Sequence, residues 1–287
     1  MTLDESWFSE ASENLGTAFS LKLTDNRKLH EEQSDFQKIE VFDTTTFGRL
    51  MVIDDFIMLS DRDNFIYHEM MSHPALFAHP APKRVLIIGG GDCGTLREVL
   101  KHPDIELAQQ VDIDERVTRV SEQFFPQLCE SNADPRAELH FDDGIKWVRD
   151  AADGFYDVII VDSTDPVGPG EVLFTEDFYN NAFRALNQGG LIVQQSESPL
   201  FHTETIIKPM YDKLKAAGFA DRQTLHFPQC VYPSGWWTCT LACKDQKIPH
   251  LREQSVENRP FITHYYNQDV HRAAAAAPEF FRQALQD

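Results

Sequence analysis

With 287 residues the chain suits one large α/β domain, or such a domain with a small appendage. Hydrophobic residues at 42% and charged residues at 25% are ordinary for a globular protein and exclude global disorder. A formal net charge of −20 would repel a phosphate backbone, which argues against a nucleic-acid partner, and would draw in a cationic ligand.

The segment Met1–Asn14 is acidic and lacks an apolar core, and no run approaches the ~18 apolar residues of a membrane span, so neither a signal peptide nor a membrane helix is expected. The five cysteines (Cys93, Cys129, Cys230, Cys239, Cys243) form no C-x-x-C pair, which fits a reduced, cytoplasmic protein. From about Phe19 to Leu59 the pattern is strand-like. Phe36–Phe42 alternates with period two, as a half-buried strand does, and Gly48–Asp55 follows as another. A small antiparallel N-terminal β domain over 1–65 is expected, then a catalytic domain over 66–287.

The second region opens with a predicted helix over Ile66–Phe77 and a break at Pro80 and Pro82. Strand and helix then alternate. Val85–Ile88, Ala108–Val111, Ala137–Phe141, Asp157–Val161 and Leu191–Val193 read as buried strands. Helices are predicted over Thr95–Lys101, Glu115–Leu128, Ile145–Ala152, Glu176–Leu186 and Thr203–Ala217. This is the pattern of a doubly wound Rossmann-like parallel sheet, closed by a possible antiparallel pair near Thr224–Phe227 and Trp237–Ala242. Asp245–Asn258 reads as a polar loop and Ala273–Ala277 as helix-prone, while Trp236, Trp237, Phe280 and Phe281 read as core or interface anchors.

Ligands of an open α/β sheet bind beyond the carboxyl ends of its strands. Those ends carry Gly89-Gly90-Gly91-Asp92-Cys93-Gly94, Asp112-Ile113-Asp114, Asp142-Asp143-Gly144 and Asp162-Ser163-Thr164-Asp165-Pro166, with Gln194-Gln195 after the fifth. The first four ends all carry acid. Gly89, Gly91 and Gly94 fit G-x-G-x-x-G, and Asp112 lies near the ~20-residue offset where an acid accepts hydrogen bonds from a ribose. Asp92 would oppose a pyrophosphate or a methionyl carboxylate, yet could pair with an aminopropyl ammonium; it could equally cap the following helix. Asp162 and Asp165 could aim at one point above the sheet, or simply build a turn. His68 and His73 are five apart rather than four, which misses the H-E-x-x-H zinc spacing, and no metal is expected.

Over nearly its whole length the chain resembles the spermidine synthases, polyamine aminopropyltransferases of the bacterial type. The carrying segments are Tyr67-His68-Glu69-Met70, Leu86–Asp92, Leu96–Leu100, Asp142-Asp143-Gly144, Asp162–Pro169 and Tyr232-Pro233-Ser234-Gly235. The resemblance implies a β domain on a methyltransferase-like sheet and a homodimer or homotetramer. It implies aminopropyl transfer from decarboxylated S-adenosylmethionine, a co-substrate rather than a cofactor, to putrescine, giving spermidine and 5'-methylthioadenosine. By the same resemblance Asp162 is the general base, and Asp165, Tyr67 and Tyr232 hold the diamine. Gln37, Asp112, Asp143, Gly144 and Pro169 surround the nucleoside, Asp92 and His68 face the aminopropyl chain, and Gln195 lies near the acceptor.

Three positions depart from the family pattern: Asp112 for a usual Glu, Cys93 for a common Gly, and Met58 for a frequent Gln near the diamine. Cadaverine, agmatine or spermidine are alternative acceptors. A methyltransferase on the same fold and a non-catalytic polyamine-binding protein are the readings from other classes.

Overall fold

The computed structural model describes residues 3–164 and 172–286. Its first sheet is antiparallel, with β1 (Trp7–Ser12), β2 (Thr17–Gln33), β3 (Lys38–Thr44), β4 (Gly48–Ile53) and β5 (Phe56–Ser60) paired in sequential order. β3 is buried on both faces, not one. Ile39 and Val41 pack with Met51, Val117 and Phe125, while Phe42 joins Phe8, Leu21 and Leu50 on the other side. Two apolar layers therefore grip this strand, and the first of them fixes the small sheet against the second. β1 was not anticipated, because buried Glu10 interrupts the apolar alternation that would have marked it.

The second sheet contains β6 (Arg84–Gly89), β7 (Leu107–Asp112), β8 (Ala137–Phe141), β9 (Tyr156–Asp162), β10 (Leu186–Gln195), β11 (Asp221–Pro228) and β12 (Trp236–Cys243). Their order is β11-β12-β10-β9-β6-β7-β8, with β6 to β10 parallel and β12 antiparallel to both its neighbours. The order reverses between β6 and β9, and Gly89 pairs with Asp162 at that point. This is where an open α/β sheet leaves a crevice for a ligand.

The helices are α1 (Asn64–Ala78), α2 (Gly94–Leu100), α3 (Glu115–Phe124), α4 (Gly144–Asp150), α5 (Glu176–Ala185), α6 (Pro199–His202), α7 (Lys208–Ala216), α8 (Glu253–Glu257), α9 (Gln268–Ala274) and α10 (Glu279–Ala284). α1 runs straight through Pro74, whose missing N–H leaves the Met70 carbonyl without its helical donor. The buried thiol of Cys239 reaches that carbonyl at 3.5 Å. The single helix expected over Thr203–Ala217 is instead α6, a wide π turn at Thr203–Ile207, and α7. Pro209 cannot donate to the turn before it, and Lys208 N–H closes a wider ring onto the Thr203 carbonyl. The expected loop over Asp245–Asn258 contains α8, held by buried Val256 and by Arg252, which donates to the carbonyls of Leu76 and Phe77. Trp237 and Phe281 are core residues, whereas Phe280 is 41% exposed and leans on Trp236. No described helix is long and apolar enough to cross a membrane.

Candidate active site

Backbone geometry brings β6 and β9 into contact at the switch point. Gly89 has φ +80°, and a Cβ there would lie 2.2 Å from the carbonyl oxygen of Asp162. Gly90 N–H donates to that same carbonyl at 2.7 Å. The Asp162 carboxylate is then held from two helices. Tyr67 of α1 donates to Oδ1 at 2.7 Å, and Thr95 of α2 donates to Oδ2 at 2.6 Å. Burial, and then the negative charge of Asp92, raise the Asp162 pKa above the usual carboxylate range. An acid so placed is a better proton acceptor than one in water.

Asp92 stands on the glycine loop with its carboxylate turned to α1. His68 Nε2 lies 3.2 Å from Oδ1, and Gly94 N–H donates to Oδ1 at 2.6 Å. The imidazole occupies the space a Cβ at residue 94 would need, with ring atoms 2.2 Å from it, so only glycine fits. Burial disfavours both charges, but the pair overcomes it: the His68 pKa is raised and that of Asp92 lowered. Asp92 thus both accepts from the loop backbone and pairs with the buried imidazole of His68. Cys93 takes φ +68°, the conformation a glycine adopts freely, and its thiol turns inward to Gly91 O and Gln110.

A cavity of about 480 Å³ opens above these residues, within the range of small-molecule sites. Asp92, Asp112, Asp143 and Asp162 all line it, as do Gln37 and Gly144. Burial pushes the Asp112 pKa up to about 6. Asp112 accepts from Asp114 N–H at 2.8 Å, and Gln37 donates to Asp114 at 3.0 Å, so the small sheet braces the end of β7. Asp143 caps α4 by accepting from Ile145 N–H at 2.8 Å. Met51, Ile53, Ile88 and Val111 supply apolar walls suited to a flat base.

A smaller annex of about 40 Å³ adjoins the main cavity, sharing Phe56, Met58, Tyr67, Ser163, Thr164 and Tyr232 with it. Tyr232 donates its hydroxyl to the Met58 carbonyl and meets Tyr67 edge-on at 5.9 Å. Gln195 lines the annex and donates to Glu197 at 3.2 Å. Asp165 and Pro169, expected here from the sequence, lie outside the described residues.

Sequence reasoning passed over three polar residues. Glu10 lines the annex and accepts from Ile57 N–H at 2.7 Å. Glu197 is 2% exposed and held at φ +67° two residues beyond β10. Reading the strand end two positions further would have found it; nothing in the sequence singles out Glu10. Thr95 sits one residue past the glycine loop, where a hydroxyl carries no pattern. His73 turns away from the site to Glu98 at 3.1 Å and His102 at 3.0 Å. Among the described residues, no group of three or more His, Cys, Asp or Glu side chains could hold a metal ion.

A seven-stranded mixed sheet with a glycine loop and a ring of carboxylates at its switch point is of the methyltransferase-like Rossmann class. Known proteins narrow this. A spermine/spermidine synthase domain profile matches residues 64–252, and a spermidine synthase tetramerisation domain profile matches residues 6–61. The polyamine aminopropyltransferase of Thioalkalivibrio sulfidiphilus is 65% identical, over 99% of this chain and 99% of its own. That of Methylococcus capsulatus is 59% identical, over 99% and 98%. A crystal structure of spermidine synthase in complex with the transition-state analogue AdoDATO superposes with TM-score 0.93 and 35% identity, covering 100% of this chain and 97% of that one. The chain belongs to the spermine/spermidine synthase family, and its chemistry is aminopropyl transfer to a polyamine.

Proposed function

We propose that the protein transfers the aminopropyl group of decarboxylated S-adenosylmethionine to putrescine, with Asp162 as the general base. The observation that carries this reading is the Asp162 carboxylate, buried and gripped by two hydroxyls, on the wall of a cavity that also holds Asp92 and Asp112. An aliphatic ammonium has a pKa near ~10.4 in water and is not a nucleophile. Burial raises the pKa of Asp162, which narrows the gap to that value inside the site. Asp162 takes the proton as nitrogen attacks the methylene carbon next to sulfur. The sulfonium leaves as 5'-methylthioadenosine without needing an acid. Positive charge moves from sulfur to nitrogen, and the surrounding carboxylates favour the forming ammonium. The reaction uses no metal and no resident cofactor; the donor nucleoside is consumed as a co-substrate.

In this reading Asp112, Asp143, Gly144 and Gln37 surround the nucleoside, with Pro169, and Asp92 with His68 faces the aminopropyl chain. Tyr67, Tyr232 and Gln195 receive the acceptor, with Asp165; Glu10, on the annex wall, offers negative charge to its far ammonium. The tetramerisation profile over residues 6–61 supports a homotetramer. The five free cysteines fit a reducing cytoplasm. The test is a panel of putrescine, cadaverine, agmatine and spermidine with decarboxylated S-adenosylmethionine, products being identified by mass. Putrescine is expected to give the highest kcat/KM. A preference for another amine would overturn the acceptor assignment, and no thioether release would overturn the reaction.

A further inference from the structure

The two hydroxyls on Asp162 come from different helices. α1 contributes Tyr67 and α2 contributes Thr95, which is fully buried and 2.6 Å from Oδ2. Among the described residues no cation touches this carboxylate directly, although both of its oxygens are engaged. Among the described residues the titratable groups facing it are Tyr67 and His68 from α1, Asp92 from the glycine loop and Asp112 from the end of β7. Arg97 of α2 acts on His68 and on Asp92. Fixing a carboxylate by neutral donors orients it without the large loss of basicity that a lysine or arginine would impose. The α1–α2 pair that carries the donors is itself fastened further along both helices, where His73 meets Glu98 at 3.1 Å.

We propose that Thr95 is a positioning residue for the reaction: its hydroxyl holds Oδ2 of Asp162 while Tyr67 holds Oδ1, so that the free lone pairs of the carboxylate face the acceptor amine in one orientation. A carboxylate offers about four acceptor sites, and two hydroxyl bonds leave two for the incoming nitrogen. Without Thr95 the carboxylate turns about its remaining bond to Tyr67, and its anionic form loses one of its two donors. The inference rests on the assignment of Asp162 as base.

The experiment compares Thr95→Val, Thr95→Ser and Asp162→Asn with the parent by the pH profile of kcat/KM, by KM and kcat separately, and by Tm. Thr95→Val keeps the shape and removes the donor. It is expected to move the acidic limb of the profile upward by roughly one pH unit and to lower kcat about tenfold near neutrality, with the donor KM little changed. Thr95→Ser is expected to restore both. A Val profile that superposes on the parent, or a Ser variant as impaired as Val, overturns the role of the hydroxyl. Should Val not fold, Thr95→Ala against Thr95→Ser reads the same difference. Turnover surviving in Asp162→Asn overturns the base assignment instead, so the two failures are separable.

Discussion

His68 and Asp92 stand 3.2 Å apart, Nε2 to Oδ1, Asp92 on the cavity wall and His68 buried behind it, and each holds the other in its charged form. A protonated imidazole there occupies the charge that a substrate ammonium needs. The His68 pKa lies above its ordinary 6.5, so the competition persists below that raised value and fades as pH rises through it. Donor KM is therefore expected to fall several-fold as pH rises through that raised value. 5'-Methylthioadenosine lacks the ammonium, and its affinity is expected to stay flat over the same window. His68→Gln is expected to abolish the slope. Equal slopes for donor and thioether would reject competition.

Asp162→Asn is expected to lose turnover by about 10²–10⁴ while nucleoside binding, measured by calorimetry, is retained. The same change is expected to leave Tm equal or higher. The folded-state pKa of Asp162 is raised, so its contribution to stability is present at low pH and is lost as pH rises through that value. At neutral pH the ionised group is a cost that asparagine removes. A variant that loses both turnover and several degrees of Tm would point to a structural role.

Asp112 titrates near 6 because burial opposes its charge, and only its anion offers full acceptor capacity to a ribose diol. Nucleoside affinity is expected to weaken as pH falls through about 6. Asp112→Ala is expected to raise donor KM roughly 10–100-fold with kcat nearly unchanged, the signature of lost uniform binding. Asp112→Glu is expected to retain most of the affinity. Isothermal titration with 5'-methylthioadenosine at pH 5.5 and 7.5 separates binding from chemistry.

Away from the site, burial pushes the pKa of His102 down to about 2, and those of His226 and His271 to about 4. These groups bind protons in the unfolded chain at pH values where the folded chain does not. Stability therefore rises with pH across that interval and is lost as pH falls below about 6.5. Calorimetry between pH 4 and 7 is expected to find a steep decline in Tm. His102→Gln is expected to make it shallower, because glutamine can still meet His73 without titrating while His226 and His271 remain. An unchanged slope would shift the acid sensitivity to other groups.

The alternation of strand and helix, the glycine loop and the acids at four strand ends were legible because they are local. A buried parallel strand announces itself as an apolar run, and the residue after it is then known to lie at the rim. Asp92, Asp112 and Asp162 were located by that rule, and all three line one cavity. The rule weakens where the chain leaves regular periodicity. Glu10 belongs to a strand its own charge disguises, and Glu197 follows a strand end in a left-handed conformation. The π turn at Thr203–Ile207 arises from Pro209 acting backwards on a turn that itself reads as plain helix.

The sequence by itself determined the architecture and the identity of the acids, since hydrophobic period and turn chemistry are properties of neighbours along the chain. Only the tertiary structure decided which partners those acids have. Tyr67 and Thr95 reach Asp162 across separations of 95 and 67 residues, and His68 reaches Asp92 across 24. Whether a carboxylate is a base, a cap or half of an ion pair depends on burial and on charges within a few ångströms, and those distances are set by packing α1 against α2.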